Sequence, residues 1–159
     1  MKIREKIVQT DLKYIREILE STEFFYDFEV VTAVELGEET LAKGAASGYQ
    51  FVFLEDEDYK PYAFGIYGEI ACTKQRYDLY WLGVLQSLRG KGIGSVLMKT
   101  CEDAIAKQGG KIVYIETSAR DQYLPTREFY VKRDYFIEAV LKDFYDDGDG
   151  KVIYSKRVG

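Results

Sequence analysis

The chain has 159 residues, 47% of them apolar, which suffices for one domain with a sizeable core, and its 27 acids against 22 bases leave a net charge of −5. That balance excludes a protein-wide basic field for nucleic acid or an anionic membrane, and the lack of any histidine excludes imidazole bases, histidine triads and His-ligated metals. With only two cysteines, a polar N-terminus and no apolar run near the roughly eighteen residues of a membrane span, the expectation is a reduced, soluble, cytoplasmic domain.

Thr10 and Asp11 stand where they can cap a helix whose Leu12, Ile15, Ile18 and Leu19 recur at helical spacing. A second helix is predicted from about 29 to 46, ending near Gly48. Strand character follows at 49–54, 62–72 and 77–85, with an acidic turn between the first two. The chain is glycine-rich from Arg89 to Gly94. A helix then runs to Gln108, with Ile93, Leu97, Cys101, Ala104 and Ile105 on one stripe and Gly109–Gly110 as its stop. A strand at 111–117, a helix at 126–133 behind Pro125, and paired strands at 135–145 and 151–156 complete the set. The turn between the last two, D-D-G-D-G, lacks the ligand spacing of a calcium loop. Cys72 and Cys101 read as small buried hydrophobes. The order of elements predicts a single domain over 1–159, a mixed α/β sheet with helices on its faces.

Charge is unevenly spread. Residues 20–58 hold eleven acids, Glu35 among them, and the single base Lys43. Such a segment suits a cationic partner or serves only as a solvated face.

The strongest chemical signal is the run from Val84 to Ser95, in which a strand ends, Gly90, Gly92 and Gly94 follow in alternation, and a helix begins. Backbone N–H groups at a helix N-terminus are unpaired donors at the positive end of the dipole, so they receive anions. Glycine lets a pyrophosphate approach that backbone, and Arg89 and Lys91 add charge. The segment is no P-loop, which requires G-x-x-x-x-G-K-[ST]. As a dinucleotide fingerprint it has Ser95 where the third glycine belongs, although Glu116 stands where a ribose-binding acid is expected. A nucleotide-dependent oxidoreductase using NAD(P) is therefore one alternative.

A hydrophobic strand, five residues from Val84 to Arg89, and R-G-K-G-I-G at 89–94 opening a helix resemble the GCN5-related N-acetyltransferase (GNAT) superfamily. A second matching motif is Phe129–Tyr130, with Thr126, Asp134 and Tyr135 at the family's small, glycine and phenylalanine positions. The resemblance implies a GNAT-like, mostly antiparallel twisted sheet with a splayed central strand pair and flanking helices. It implies acetyl-CoA as cosubstrate, no metal, a small-molecule or peptide amine as acceptor, and a homodimer as a family expectation. The backbone of Leu82, Gly83 and Val84 would hold the pantetheine arm, and Arg89, Gly90, Lys91, Gly92, Ile93, Gly94 and Ser95 the pyrophosphate. Gly83 would ease close approach of that arm. The family's frequent asparagine after the fifth strand is missing, leaving Ser118, Asp121 or Gln122 as substitutes.

Acetyl transfer to an amine needs a neutral nucleophile, a polarised carbonyl and a proton for the leaving thiol. An alkylammonium near pKa 10.4 is neutral about once in 2,500 molecules at pH 7, a cost of roughly 4.6 kcal/mol. With no histidine, a carboxylate, a tyrosine or water must share that work. The resemblance points to Glu116 as base, with Glu35, Glu69 and Asp78 behind it, and to Tyr130 as the proton donor to sulfur. A backbone N–H of the fourth strand would polarise the carbonyl. Glu35 and Tyr80 are expected in the acceptor site, with Trp81 as a further wall. A non-catalytic acyl-CoA sensor on the same fold is the other alternative.

Overall fold

The computed structural model describes residues 1–159. In chain order the elements are β1 (Lys2–Arg4), α1 (Asp11–Ser21), α2 (Asp27–Lys43), β2 (Gln50–Glu55), β3 (Pro61–Glu69), β4 (Arg76–Val84), α3 (Ile93–Lys107), β5 (Ile112–Ser118), α4 (Leu124–Lys132), β6 (Phe136–Asp146) and β7 (Asp149–Arg157). The strands form one sheet in the order β1-β2-β3-β4-β5-β7-β6, antiparallel throughout except for β4 with β5. Each predicted element is present, displaced by a few residues at its ends.

β2 is buried on both sides, which is why its sequence reads as an unbroken apolar run. Phe51 and Phe53 face one core with Ile15, Ile18 and Leu19 of α1 and Val30 and Ala33 of α2. Val52 and Leu54 face the other, with Leu97, Met98, Cys101 and Ile105 of α3. Alternation along one strand thus builds two layers of helix on opposite faces of the sheet. Gly65 is needed here, since a Cβ would come within 2.5 Å of Cys101 Sγ.

Four features depart from the sequence reading. β1 is an additional strand, three residues long and too short to carry a period. It pairs with β2 and is fixed by Arg4, which donates to Glu55 at 2.6 Å and to Asp11 at 2.8 Å. The start of α1 is tied down differently from expectation: Thr10 makes no side-chain cap, and the Asp11 carboxylate accepts instead from Val8 N at 2.7 Å. Cys101 is buried, but Cys72 is exposed, in the β3–β4 turn with a φ of 64°. The closing hairpin turns through Asp147 and Gly148, with Asp146 opposite Asp149, and β6 bulges twice along its length.

Parallel pairing of β4 with β5 is confined to Arg76, Tyr77 and Asp78 against Ile112, Val113 and Tyr114. Beyond that point Leu79–Val84 has no strand partner on its β5 side. The sheet therefore opens in the middle, and α3 begins just past the open end.

Candidate active site

The loop after β4 delivers what its glycines promise. Gly90 and Gly92 have φ of 77° and 79°, a region L side chains rarely enter, and nothing lies within 4 Å of where their Cβ atoms would be. Gly92 starts α3 without a side-chain cap. Six consecutive backbone N–H groups, from Gly90 to Ser95, donate to no acceptor in the protein, the first helical bond being Val96 N to Gly92 O at 3.2 Å. Arg89 and Lys91 are exposed and make no ion pair. A row of vacant donors, a positive dipole end and two free cations fit a diphosphate.

Along the gap, Leu82 and Val84 lie against the α3 core while Trp81 packs into the α1–α2 core, its ring 5.9 Å from Phe25. Gly83 has a packing reason of its own: a Cβ there would meet Phe64 Cε1 at 2.7 Å and Leu19 Cδ2 at 3.2 Å, in the α1–α2 core. Register with β3 slips between Ile66 and Tyr67, so Tyr80 is the extra residue of a bulge. A bulge re-aims backbone groups, here at the point where β4 loses β5.

Tyr130 approaches from α4. It is 8% exposed, its ring 5.5 Å from Tyr154 and 6.1 Å from Tyr135. Burial, then the neighbouring Tyr154 and Tyr145 hydroxyls, push its pKa well above the ordinary phenol range. Phe129 rests on the turn, 3.3 Å from the Cβ position of Gly94.

On the opposite face, strand alternation sets Glu116 two residues beyond Tyr114 and therefore beside Asp78. Burial raises the pKa of Asp78, the Glu116 charge raises it further, and Lys151 opposes both. Glu116 itself is half exposed and held by Lys151 at 2.7 Å. Asp149 lies 3.4 Å from Arg120. Tyr145 closes this group: burial, then the charges of Glu116 and Asp149 with lesser pulls from Tyr123 and Glu29, push its phenol up to about 12. Tyr49 packs edge-on to Tyr80 at 5.5 Å, and Phe24 to Tyr123 at 4.6 Å, adding aromatic walls. Four carboxylates (Glu29, Asp78, Glu116, Asp149) thus face two cations, Lys151 and Arg120.

The fold brings Glu116, Asp78, Tyr80 and the glycine turn toward one gap. Glu35 lies elsewhere, exposed on α2 six residues past Glu29, a step of 600° that turns it away from the face Glu29 presents. Most of the acidic segment is likewise spent on the outer face of α2 and on the β2–β3 turn. Glu29 was detectable as a helix-start glutamate, and its carboxylate accepts from Tyr26 N at 3.0 Å. Tyr145, Asp149 and Lys151 carry no local signal, because the closing hairpin folds back on β5 from far along the chain. Ser118 donates to Asp149 and accepts from Arg120 N, so its hydroxyl is already engaged.

A family model for GNAT acetyltransferases matches residues 12–135. A GNAT-family protein from Desulfovibrio desulfuricans is 38% identical over 99% of both chains, with a TM-score of 0.95. An aminoglycoside 6'-N-acetyltransferase solved with coenzyme A shares the fold, at 21% identity over 100% of this chain and 98% of that one, TM-score 0.75. So does the ribosomal-protein-S18-alanine N-acetyltransferase of Escherichia coli, at 18% identity over 99% and 94%, TM-score 0.75. No curated protein sequence matches the chain. The chain belongs to the GNAT acetyltransferase family, whose enzymes use acetyl-CoA. No helix is long and apolar enough to cross a membrane.

Proposed function

We propose that the protein transfers an acetyl group from acetyl-CoA to the primary amine of a cationic small molecule or peptide. The observation that carries this reading is the run of six vacant amides from Gly90 to Ser95 at the open end of β4. In this reading those amides, with Arg89 and Lys91, hold the diphosphate, and the unpartnered edge of β4 at Leu82, Gly83 and Val84 hydrogen-bonds the pantetheine arm as an added strand would. Bound acetyl-CoA supplies an activated thioester open to direct attack by the amine.

The protein's own groups then divide the work. A backbone N–H of the β4 bulge at Tyr80 donates to the carbonyl oxygen as negative charge grows there. Glu116, with Asp78 beside it, takes the ammonium proton; a carboxylate pair in which one member resists ionisation is suited to a base role. Tyr130 donates a hydrogen bond to the departing sulfur, and burial keeps the proton on its oxygen until the sulfur has gained charge. Tyr80, Tyr145 and the acidic excess around them attract a cation and favour it over neutral acceptors. The named aminoglycoside and protein-amine activities of the similar folds support an amine acceptor. The acidic composition with free thiols supports a cytoplasmic setting, and the exposed apolar side chains of β6 support a homodimer.

The test is acetyl transfer measured across a polyamine, an amino sugar, peptides with free amino termini, and neutral or acidic amines, at low and high salt. Faster transfer to cations at low salt is expected. Indifference to acceptor charge overturns the acceptor assignment. Coenzyme A binding with no transfer to any amine, unaltered by Tyr130→Phe or Glu116→Gln, favours the sensor reading, and NAD(P) binding without coenzyme A binding favours the oxidoreductase.

A further inference from the structure

The face between α3 and α4, just beyond the glycine turn, carries a depression of about 420 Å³ lined by Ser95, Met98, Lys99, Glu102, Lys132, Arg133, Asp134 and Lys156. In a chain of net charge −5, this lining is positive by two. Its acids are only partly free, since Glu102 is taken by Lys156 through two bonds of 2.9 and 2.8 Å.

Arg133 is the unusual member. Its guanidinium lies over the Phe129 ring at 3.6 Å, donates to Phe129 O at 3.0 Å and donates to Ser95 Oγ. Nε is buried with no acceptor, and no carboxylate forms an ion pair with the group. Burial lowers the pKa of this arginine, and the charge of Glu102, itself paired with Lys156, only partly opposes that. Lys132 next to it has no ion pair either. Ser95, which Arg133 grips, also bears the last of the six vacant amides, so the depression and the turn are continuous.

We propose that Arg133, assisted by Lys132, binds the 3′-phosphate of coenzyme A and makes the protein selective for the phosphorylated coenzyme. The inference rests on the diphosphate lying at the glycine turn. The coenzyme carries its diphosphate and its 3′-phosphomonoester on a single ribose, so a second phosphate-binding group belongs immediately beside the first. A planar guanidinium whose terminal nitrogens bond only neutral oxygens, each with a second N–H to give, matches a phosphate dianion and acquires a directly bonded anion.

Calorimetric titration with coenzyme A and with 3′-dephospho-coenzyme A tests this by binding alone. The wild-type protein is expected to bind the phosphorylated form at least about tenfold more tightly, as a charge-assisted hydrogen bond warrants. Arg133→Gln is expected to lose most of the preference by weakening only the phosphorylated form, and Lys132→Gln to lose a smaller part. Equal affinities in the wild type overturn this inference and leave the turn assignment intact, whether or not the Arg133 variant folds. Equal loss of both affinities in Arg133→Gln overturns it in favour of a packing role. Binding of inorganic phosphate at Arg133 in the presence of saturating coenzyme A overturns it in favour of a free-phosphate site. Failure of the wild type to bind either form overturns it together with the reading on which it rests.

Discussion

Lys151 Nζ lies 2.7 Å from Glu116 Oε2, joining the last strand of the fold to the end of β5. The same charge also lowers the proton affinity of Asp78, against burial and against Glu116. One lysine therefore pairs with Glu116 and offsets part of the rise in the proton affinity of Asp78.

Replacing it changes the pH profile. A base acts only when deprotonated, so activity rises with pH through its pKa. Lys151→Gln removes the charge that opposes the raised pKa of Asp78 in the carboxylate pair, and the acid limb of kcat/KM is expected to move up by about half to one pH unit. An unmoved limb would assign proton removal to other groups.

Asp78 makes a stability prediction of opposite sense to the usual salt-bridged carboxylate. Its folded pKa is raised above the unfolded value, so the folded state holds the proton more tightly. Stability is therefore lost as pH rises from about 3.9 through the raised value. Asp78→Asn is expected to raise Tm at pH 7 by about 1–3 °C, discounted for its partial exposure, and to make no difference near pH 3. A gain that persists unchanged at low pH would refute the electrostatic cause.

Gly92→Glu introduces a side chain and a negative charge above the vacant amides, where open space now lies. The positive φ makes the change cost about 1 kcal/mol in stability, which leaves the protein folded. Coenzyme A binding by calorimetry is expected to vanish; unchanged affinity would remove the diphosphate from this turn.

Tyr130→Phe keeps the ring among Phe129, Tyr135 and Tyr154 and deletes only the hydroxyl. Turnover is expected to fall by about 10²-fold with little change in coenzyme affinity, as for loss of a proton donor. Because burial holds the phenol protonated, the alkaline side of the wild-type profile should carry no Tyr130 ionisation below about pH 10. Equal losses in turnover and affinity would mean that the hydroxyl serves packing.

Much of this was legible in the residues because it is local. The Leu12–Leu19 stripe, the double-sided apolar run of β2 and the alternating glycines each encode their structure within one element. Three residues of β1 could not, since their pairing with Phe53, Leu54 and Glu55 is fixed by a distant strand and by Arg4. Glu35 and Glu29 look alike in composition, and only the helical phase of α2 separates them. Gly83 shows the converse limit: its need for a missing side chain was readable, but the atoms that enforce it, in Phe64 and Leu19, belong to the opposite face of the sheet.

The narrow seam between β4 and β5 has a mechanical consequence. Three rungs, Arg76 to Asp78 against Ile112 to Tyr114, are the only strand pairing between the first four strands and the last three, extended by bonds from Lys111 N and Ile112 N to Gln75 O. A ligand lodged in the opening would bridge the two half-sheets from within and act as a clasp. Amide exchange along Ile115–Ser118 and Leu79–Val84 would then slow together on binding, because occupancy and cohesion of the halves become one equilibrium.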